Sequence, residues 1–219
     1  MNGFERWEDA IRVNEQSSIR IEGGKILYFD PFRLPDEPHD ADFIFLTHDH
    51  FDHYSPADLR KALGEHTIVL LPETMVSVRS ALGLDGDRSV LMKAGDRRIL
   101  YDVEFEAVPA YNIGKPFHPQ KNGCLGWLVT MDGCRFYVTG DTDATPEAEA
   151  VRADILFVPI GGTYTTDARE AAELTNRIGP SAVVPTHYGT VVGKEDMFDD
   201  FAPRVKNGIA VWKKLFVRG

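Results

Sequence analysis

The segment Thr47-His48-Asp49-His50-Phe51-Asp52-His53 constrains this chain more than any other stretch. It sits between the apolar run Asp42 to Thr47, which reads as a buried strand, and a helix start at Ser55. Ser55 is a good N-cap, Pro56 suits the first helical position, and Asp58 completes a capping-box-like Ser-x-x-Asp. Three of the seven histidines fall between His48 and His53. His48 and His50 stand two apart, so on extended backbone they leave the same face and can converge on one ion. The turn into the helix can redirect Asp52 and His53 toward a second ion. A loop mounted between a buried strand and a capped helix has the rigidity a metal site requires. Clustered imidazoles and carboxylates are the donors that such ions select.

The rest of the chain alternates strand and helix patterns. Ser18 to Ile21 and Lys25 to Asp30 read as strands about a turn at Glu22-Gly23-Gly24. Thr67 to Leu71 is a strand closed by Pro72, and a short helix is expected over Glu73 to Leu82. Strand patterns follow at Arg98 to Tyr101 and Val103 to Val108. Cys124 to Met131 and Cys134 to Thr139 form a hairpin about Asp132-Gly133. In that register Cys134 faces Met131 and Cys124 is far away, so no disulfide is expected. Helices are expected from Thr145-Pro146 and from Asp167 with Glu170, with strands at Asp154 to Ile160 and Ser181 to Pro185. Gly208 to Val217 reads equally as strand or helix. With 219 residues and 43% apolar content the chain can bury one sizeable core and is short for two. Pattern alone gives one α/β or α+β domain over residues 1–219.

His-x-His-x-Asp-His after an apolar strand resembles the metallo-β-lactamase superfamily. That resemblance implies a four-layer αββα sandwich with two metal ions at one edge of its sheets. It implies that His48 and His50 bind the first ion with a later histidine. Asp52 and His53 then bind the second ion with a final histidine, and a later aspartate bridges both. Phe136 to Asp143 has the strand-then-Gly-Asp form, which assigns Asp141 as the bridge, with Asp143 as rival. His187 follows the short strand Ala182 to Thr186 and fits the final histidine. The middle histidine is less direct. Asn112 stands where many relatives carry the ligand, and His118, six residues on, is the last histidine before Asp141. His118 is assigned, with Gly114 bending the chain and Pro119 holding the backbone at His118 extended. His39 and His66 read as surface residues.

Tyr28-Phe29-Asp30-Pro31, Gly140 to Asp143 and Pro159 to Tyr164 look like the branch containing L-ascorbate-6-phosphate lactonase. Gln16 departs from that pattern, since many relatives have a histidine before the first strand. Asp30 either orients a ligand histidine or is a turn carboxylate. Thr163, Tyr164 and Asn112 are candidates to touch substrate, with loop packing or a local turn as the plain alternative. Lys115 and Lys121 flank His118 and either hold an anionic group or are solvated.

The implied chemistry is hydrolysis of a small ester, lactone or phosphorylated substrate by a hydroxide held between two ions. Asp52 is the candidate to pass protons. Zinc is the expected metal, with manganese, iron or nickel open because these donors suit several ions. Rivals are a phosphodiesterase or RNase of the same superfamily, and a non-catalytic metal-binding or sensor protein. The net charge of −10 argues against a nucleic-acid partner. A glyoxalase-II-like reading is disfavoured by Gly140-Asp141-Thr142 and by the end at Gly219, where a helical domain would follow. The opening MNGFERWEDAIRVNEQ lacks an apolar signal region, which predicts a cytoplasmic protein, disfavours a secreted β-lactamase and implies no membrane partner. A homo-oligomer is left open.

Overall fold

Alternation along the strands sorts the apolar residues into two cores. The computed structural model describes residues 4–84 and 86–215. In the first sheet β1 (Ile11–Val13), β2 (Ile19–Glu22), β3 (Ile26–Phe29), β4 (Ala41–Phe45), β5 (Leu63–Pro72) and β6 (Ser89–Met92) lie side by side in chain order. The second sheet likewise holds, in order, β7 (Arg97–Leu100), β8 (Val103–Pro109), β9 (Leu125–Met131), β10 (Cys134–Val138), β11 (Ile155–Pro159), β12 (Ala182–Thr186) and β13 (Ala210–Val211). Each sheet begins antiparallel and continues parallel, from β3 in the first and from β10 in the second.

Phe43 and Phe45 point from β4 to the face between the sheets, and Ile44 and Leu46 to the opposite face. Between the sheets, Phe45 meets Phe29 at 4.8 Å, Trp127 at 5.4 Å and Phe105 at 5.8 Å between ring centroids. Burying each such ring stabilises the fold by roughly 1.5–3 kcal/mol. On the outer face of the first sheet, Ile44, Leu46, Val69 and Leu71 pack with Leu59 and Ala62 of α2 (Pro56–Ala62) and Val78 of α3 (Val76–Ala81). On the second sheet, α5 (Ala168–Ile178) buries Ala171, Ala172, Leu174 and Ile178. These helices outside paired sheets give the expected αββα layers, an α+β domain with one shared inter-sheet core.

Local signals account for many boundaries. Ser55 accepts from the Asp58 amide, and Thr145 caps α4 (Pro146–Ala150) through the Ala148 amide. Asp167 and Glu170 form a complete capping box at α5, which ends at Gly179 in the left-handed region. Asp132 and Gly133 both have positive φ, as type I′ hairpins require, and Cys134 pairs with Met131. Both cysteines are free thiols.

Other boundaries differ from the sequence reading. α1 (Arg6–Ala10), β1, β6 and α6 (Met197–Phe201) were not expected, and β5 begins four residues before Thr67. The helix expected over Glu73 to Leu82 divides into a 3-10 turn, Glu73–Met75, and α3. The ambiguous end resolves into β13 and a parallel bridge from Leu215 to Val13; Phe216 and Val217 lie outside the described residues. Among the described residues no helix is long and apolar enough to cross a membrane.

Candidate metal centre

The ends of β4, β10 and β12 meet the β8–β9 connection at one edge of the sandwich. Hydrogen bonds join the sheets there. Leu125 donates its amide to Thr47 O at 3.0 Å, and Trp127 Nε1 donates to Leu46 O at 3.1 Å. Gly140 makes the approach possible. Its φ is +66°, and a Cβ there would lie 2.9 Å from Leu125 O and 3.3 Å from the Thr47 side chain.

The histidines converge on this edge. His48 Nε2 and His118 Nε2 each lie 3.0 Å from His50 Nδ1, although His118 is 68 residues from His50. Asp141 sits among the remaining groups. Its Oδ1 is 3.3 Å from His53 Nε2, and its Oδ2 is 3.3 Å from His187 Nε2, 3.5 Å from His118 Nε2 and 4.0 Å from His48 Nε2. Asp52 Oδ2 is 3.4 Å from His187 Nε2 and 3.9 Å from His53 Nε2. Among the described residues, His48 with His50 and His118, His48 with His53 and Asp141, and Asp52 with His53 and His187 each present donor atoms close enough to share an ion. All but His50 are buried.

The donor chemistry fits divalent ions. His53 Nε2 and Asp141 Oδ1 are buried without a hydrogen-bond partner, an expensive state unless a cation fills the gap between them. Burial, aided by neighbouring His53, pushes His48 well below its ordinary pKa; burial likewise lowers His118. Both are therefore neutral donors at pH 7. Burial alone would raise Asp141, but His187 and His53 hold it well below the usual carboxylate range. Burial also opposes Asp52, which His187 and His53 nevertheless keep lowered. Despite burial, Asp141 and Asp30 raise His53 well above its ordinary value, so an incoming ion must displace a proton there.

Hydrogen bonds behind the candidate ligands select the ring tautomers. The Asp30 carboxylate accepts from the Thr47 amide at 2.8 Å, from Thr47 Oγ1 at 2.6 Å and from His53 Nδ1 at 2.7 Å. The Thr47 hydroxyl has one hydrogen, given to Asp30, so it accepts from His48 Nδ1 at 2.9 Å. His118 Nδ1 donates to Tyr164 O at 3.1 Å. All three rings thus carry hydrogen on Nδ1 and aim Nε2 at the cluster, bare in His48 and His118 and, in His53, bearing the proton an ion must displace. His187 is held differently, its amide donating to Gln16 O at 3.0 Å.

The remaining candidates divide. Asn112 donates from Nδ2 to Phe117 O at 3.0 Å and Tyr164 O at 2.6 Å, so it closes the loop that carries His118. Tyr164 contributes its main-chain oxygen, while its half-buried ring packs edge-on against Phe117 at 4.5 Å. Thr163 is exposed. Lys115 differs from its expected role. Its ammonium is taken up by the Asp143 carboxylate, by Thr165 O at 2.7 Å and by Glu170 at 3.5 Å. Asp143 also accepts from the Ile113 amide, which fixes it as a loop brace, with Asp141 alone among the histidines. The backbone at His118 is not extended before Pro119 but left-handed, with φ +51°. The bond from the Asn112 amide to His118 O at 2.9 Å closes the loop and imposes that shape. Thr47 and Gln16 were missed as supports. The one available signal was Thr47's place next to the first motif histidine. His39 and His66 are exposed, as expected.

Residues 10–187 match the model of the beta-lactamase superfamily domain. The chain belongs to the metallo-β-lactamase superfamily. A UPF0173 protein from Pyrococcus abyssi is 35% identical over 80% of each chain. A solved protein from Parabacteroides distasonis, described as a candidate metal-dependent hydrolase, is 27% identical with a TM-score of 0.74, covering 92% of this chain and 90% of its own. A solved superfamily member from Thermotoga maritima shares the fold at a TM-score of 0.62 and 20% identity, covering 95% and 98%. The superfamily match ends at His187, the last of the converging histidines.

Both cysteines stay outside this chemistry. Burial, with Asp141 and Asp49 nearby, pushes the Cys124 thiol up to about 12, and burial pushes Cys134 up to about 12. Neither is a thiolate nucleophile at neutral pH.

Proposed function

We propose that this chain is a dinuclear metal-dependent hydrolase of small esters or lactones. The observation that supports it best is Asp141, one buried carboxylate set among His48, His118, His53 and His187. Asp141 would help hold both an ion on His48, His50 and His118 and another on Asp52, His53 and His187. Bound there, two divalent ions supply Lewis-acid polarisation of the substrate oxygen and lower the pKa of an attacking water. The residues supply the rest. Asp30, Thr47 and Tyr164 O orient the rings, the apolar layers exclude bulk water from the buried face, and Asp52 accepts and returns protons beside His187. Zinc suits this donor set, as do manganese, iron and nickel. The Parabacteroides relative, described as a candidate metal-dependent hydrolase, supports the same reaction class.

The test joins metal analysis to a screen of esters, lactones, phosphate monoesters and phosphodiesters. Close to two ions per chain with ester or lactone turnover is expected, and Asp141→Ala abolishes turnover and lowers metal content. Full metal content in a His48→Ala, His50→Ala double variant would refute the ligand set. Two ions with no turnover of any compound in the screen would favour a binding or sensor role, and turnover of phosphodiesters alone the phosphodiesterase reading.

A further inference from the structure

We infer that the substrate of this centre is a neutral ester or lactone with an apolar body, and not a phosphorylated or otherwise anionic one. The inference rests on the hydrolase reading and deepens it. Its basis is that, among the described residues, four of the seven exposed large apolar side chains lie on segments that carry or follow the converging histidines, while Val76, Ile99 and Tyr101 lie elsewhere. Phe51 is 65% exposed, Ile113 59%, Phe117 42% and Val191 38%. Phe51 stands between His50 and Asp52. Ile113 and Phe117 lie on the loop that ends in His118. Val191 follows His187 by four residues, and its neighbour Val192 comes within 3.2 Å of the position a Cβ on Gly161 would take. Apolar residues scattered singly on a surface need no explanation, but apolar residues gathered on the loops around a polar centre mark a ligand site.

The collar is held in place by the bonds that place the ligands. Phe117 and Tyr164 meet edge-on at 4.5 Å, and both carbonyls accept from Asn112 Nδ2. The Ile113 amide is fixed to Asp143 at 2.7 Å. Phe51 leans edge-on against buried Phe32 at 6.2 Å. An apolar surface so ordered loses little entropy when it closes on an acyl or aryl group.

Charge points the same way. Lys115, which would grip a phosphate from the His118 loop, is held by Asp143, Thr165 O and Glu170. Exposed Asp49 sits inside the histidine motif, and Glu195 and Asp196 follow the Val191 loop. Among the described residues, Lys121 on the segment after His118 and Lys194 after the Val191 loop are exposed cations that physiological salt screens. Beyond the ions the centre would hold, an anionic substrate would meet carboxylates at the rim and, among the described residues there, only exposed lysines.

The experiment compares rates within each metal-loaded protein, so a partial loss of folded enzyme cancels. Acetyl and octanoyl esters of one alcohol are measured with a phosphorylated ester of matched size. For the wild type the octanoyl ester should exceed the acetyl ester in kcat/KM by roughly tenfold or more, chiefly through KM, and the phosphorylated ester should be poorest. In Phe51→Ala and Phe117→Ala the octanoyl-to-acetyl ratio should fall toward one. A preference for the phosphorylated ester that is lost in Lys121→Ala overturns the inference while leaving the hydrolase reading intact. An unchanged ratio in both phenylalanine variants also overturns it, including where their oligomeric size changes and the collar proves to be an interface between copies. Two bound ions with no ester turnover at all would instead remove the hydrolase reading.

Discussion

Thr47 shows how much one hydroxyl can govern. It donates to Asp30 and accepts from His48 Nδ1, linking the ring of one candidate ligand to the carboxylate that orients another, His53. Thr47→Val keeps the shape and removes the link. Metal affinity should fall roughly 10–100-fold, the range typical for lost partners behind metal ligands. Thr47→Ser should restore most of it, and competition with a chromogenic chelator measures both. Gly161 is the steric counterpart. A Cβ there would lie 2.3 Å from His187 O and 3.4 Å from its Nδ1. Gly161→Ala should therefore displace His187 and lower metal content by about one ion per chain if two ions are held as proposed. Unchanged metal content in Gly161→Ala would show that His187 is not a ligand. Neither effect can be read from residue type alone, because Thr47 and Gly161 carry no metal-binding chemistry themselves.

At the scale of elements, α2 links the metal loop to the preceding connection through Asp58. Its carboxylate accepts from Ser55 Oγ at 2.7 Å, from Lys61 Nζ at 2.9 Å, and from the Arg33 and Leu34 amides at 2.9 and 3.0 Å. Burial works against the charged form, yet the Lys61 and Ser55 bonds with those two amides hold its pKa below the ordinary value. A carboxyl lowered on folding contributes stability above its unfolded pKa of about 3.9 and loses it as pH falls through the lower folded value. Asp58→Asn should cost roughly 1–3 kcal/mol at pH 7. The gap between variant and wild type should narrow below about pH 4 as the wild-type carboxyl protonates. Urea denaturation across pH checks both parts; a gap constant with pH would mean that the charge contributes nothing.

Across the whole molecule, the candidate ligands come from the ends of strands in both sheets. Ions bound there would tie the layers together and stabilise the native state by mass action. At free metal about 100-fold above Kd the gain is about 2.7 kcal/mol. Chelation should lower the thermal midpoint, and restoring metal should recover it. An unmoved midpoint would mean that the bound ions add no stability. The net charge of −10 acts at the same scale. Binding to RNA or DNA should be negligible in a gel-shift assay near physiological salt, and tight binding there would revive the nuclease reading.

Local chemistry made several features legible from the sequence. The span from His48 to His53, the caps at Ser55, Thr145 and Asp167, and the hairpin at Asp132-Gly133 all depend on neighbours within a few positions. The apolar run Asp42 to Thr47 likewise marked a buried strand, but it did not show that Phe43 and Phe45 turn inward and Ile44 outward. Tertiary structure alone decided the rest. β1 and β6 have three and four residues, too few to show a period, and exist because β2 and β5 offer them hydrogen bonds. Lys115 could have faced solvent or substrate, and Asp143, 28 residues away, captured it. Pro119 favoured an extended His118, but Asn112 and Tyr164 O hold it left-handed. Gln16 gave no sign that its carbonyl would hold His187, because that bond joins residues 171 positions apart. Short-range preferences are worth a kilocalorie or less per residue, and a few buried hydrogen bonds between distant segments outweigh them.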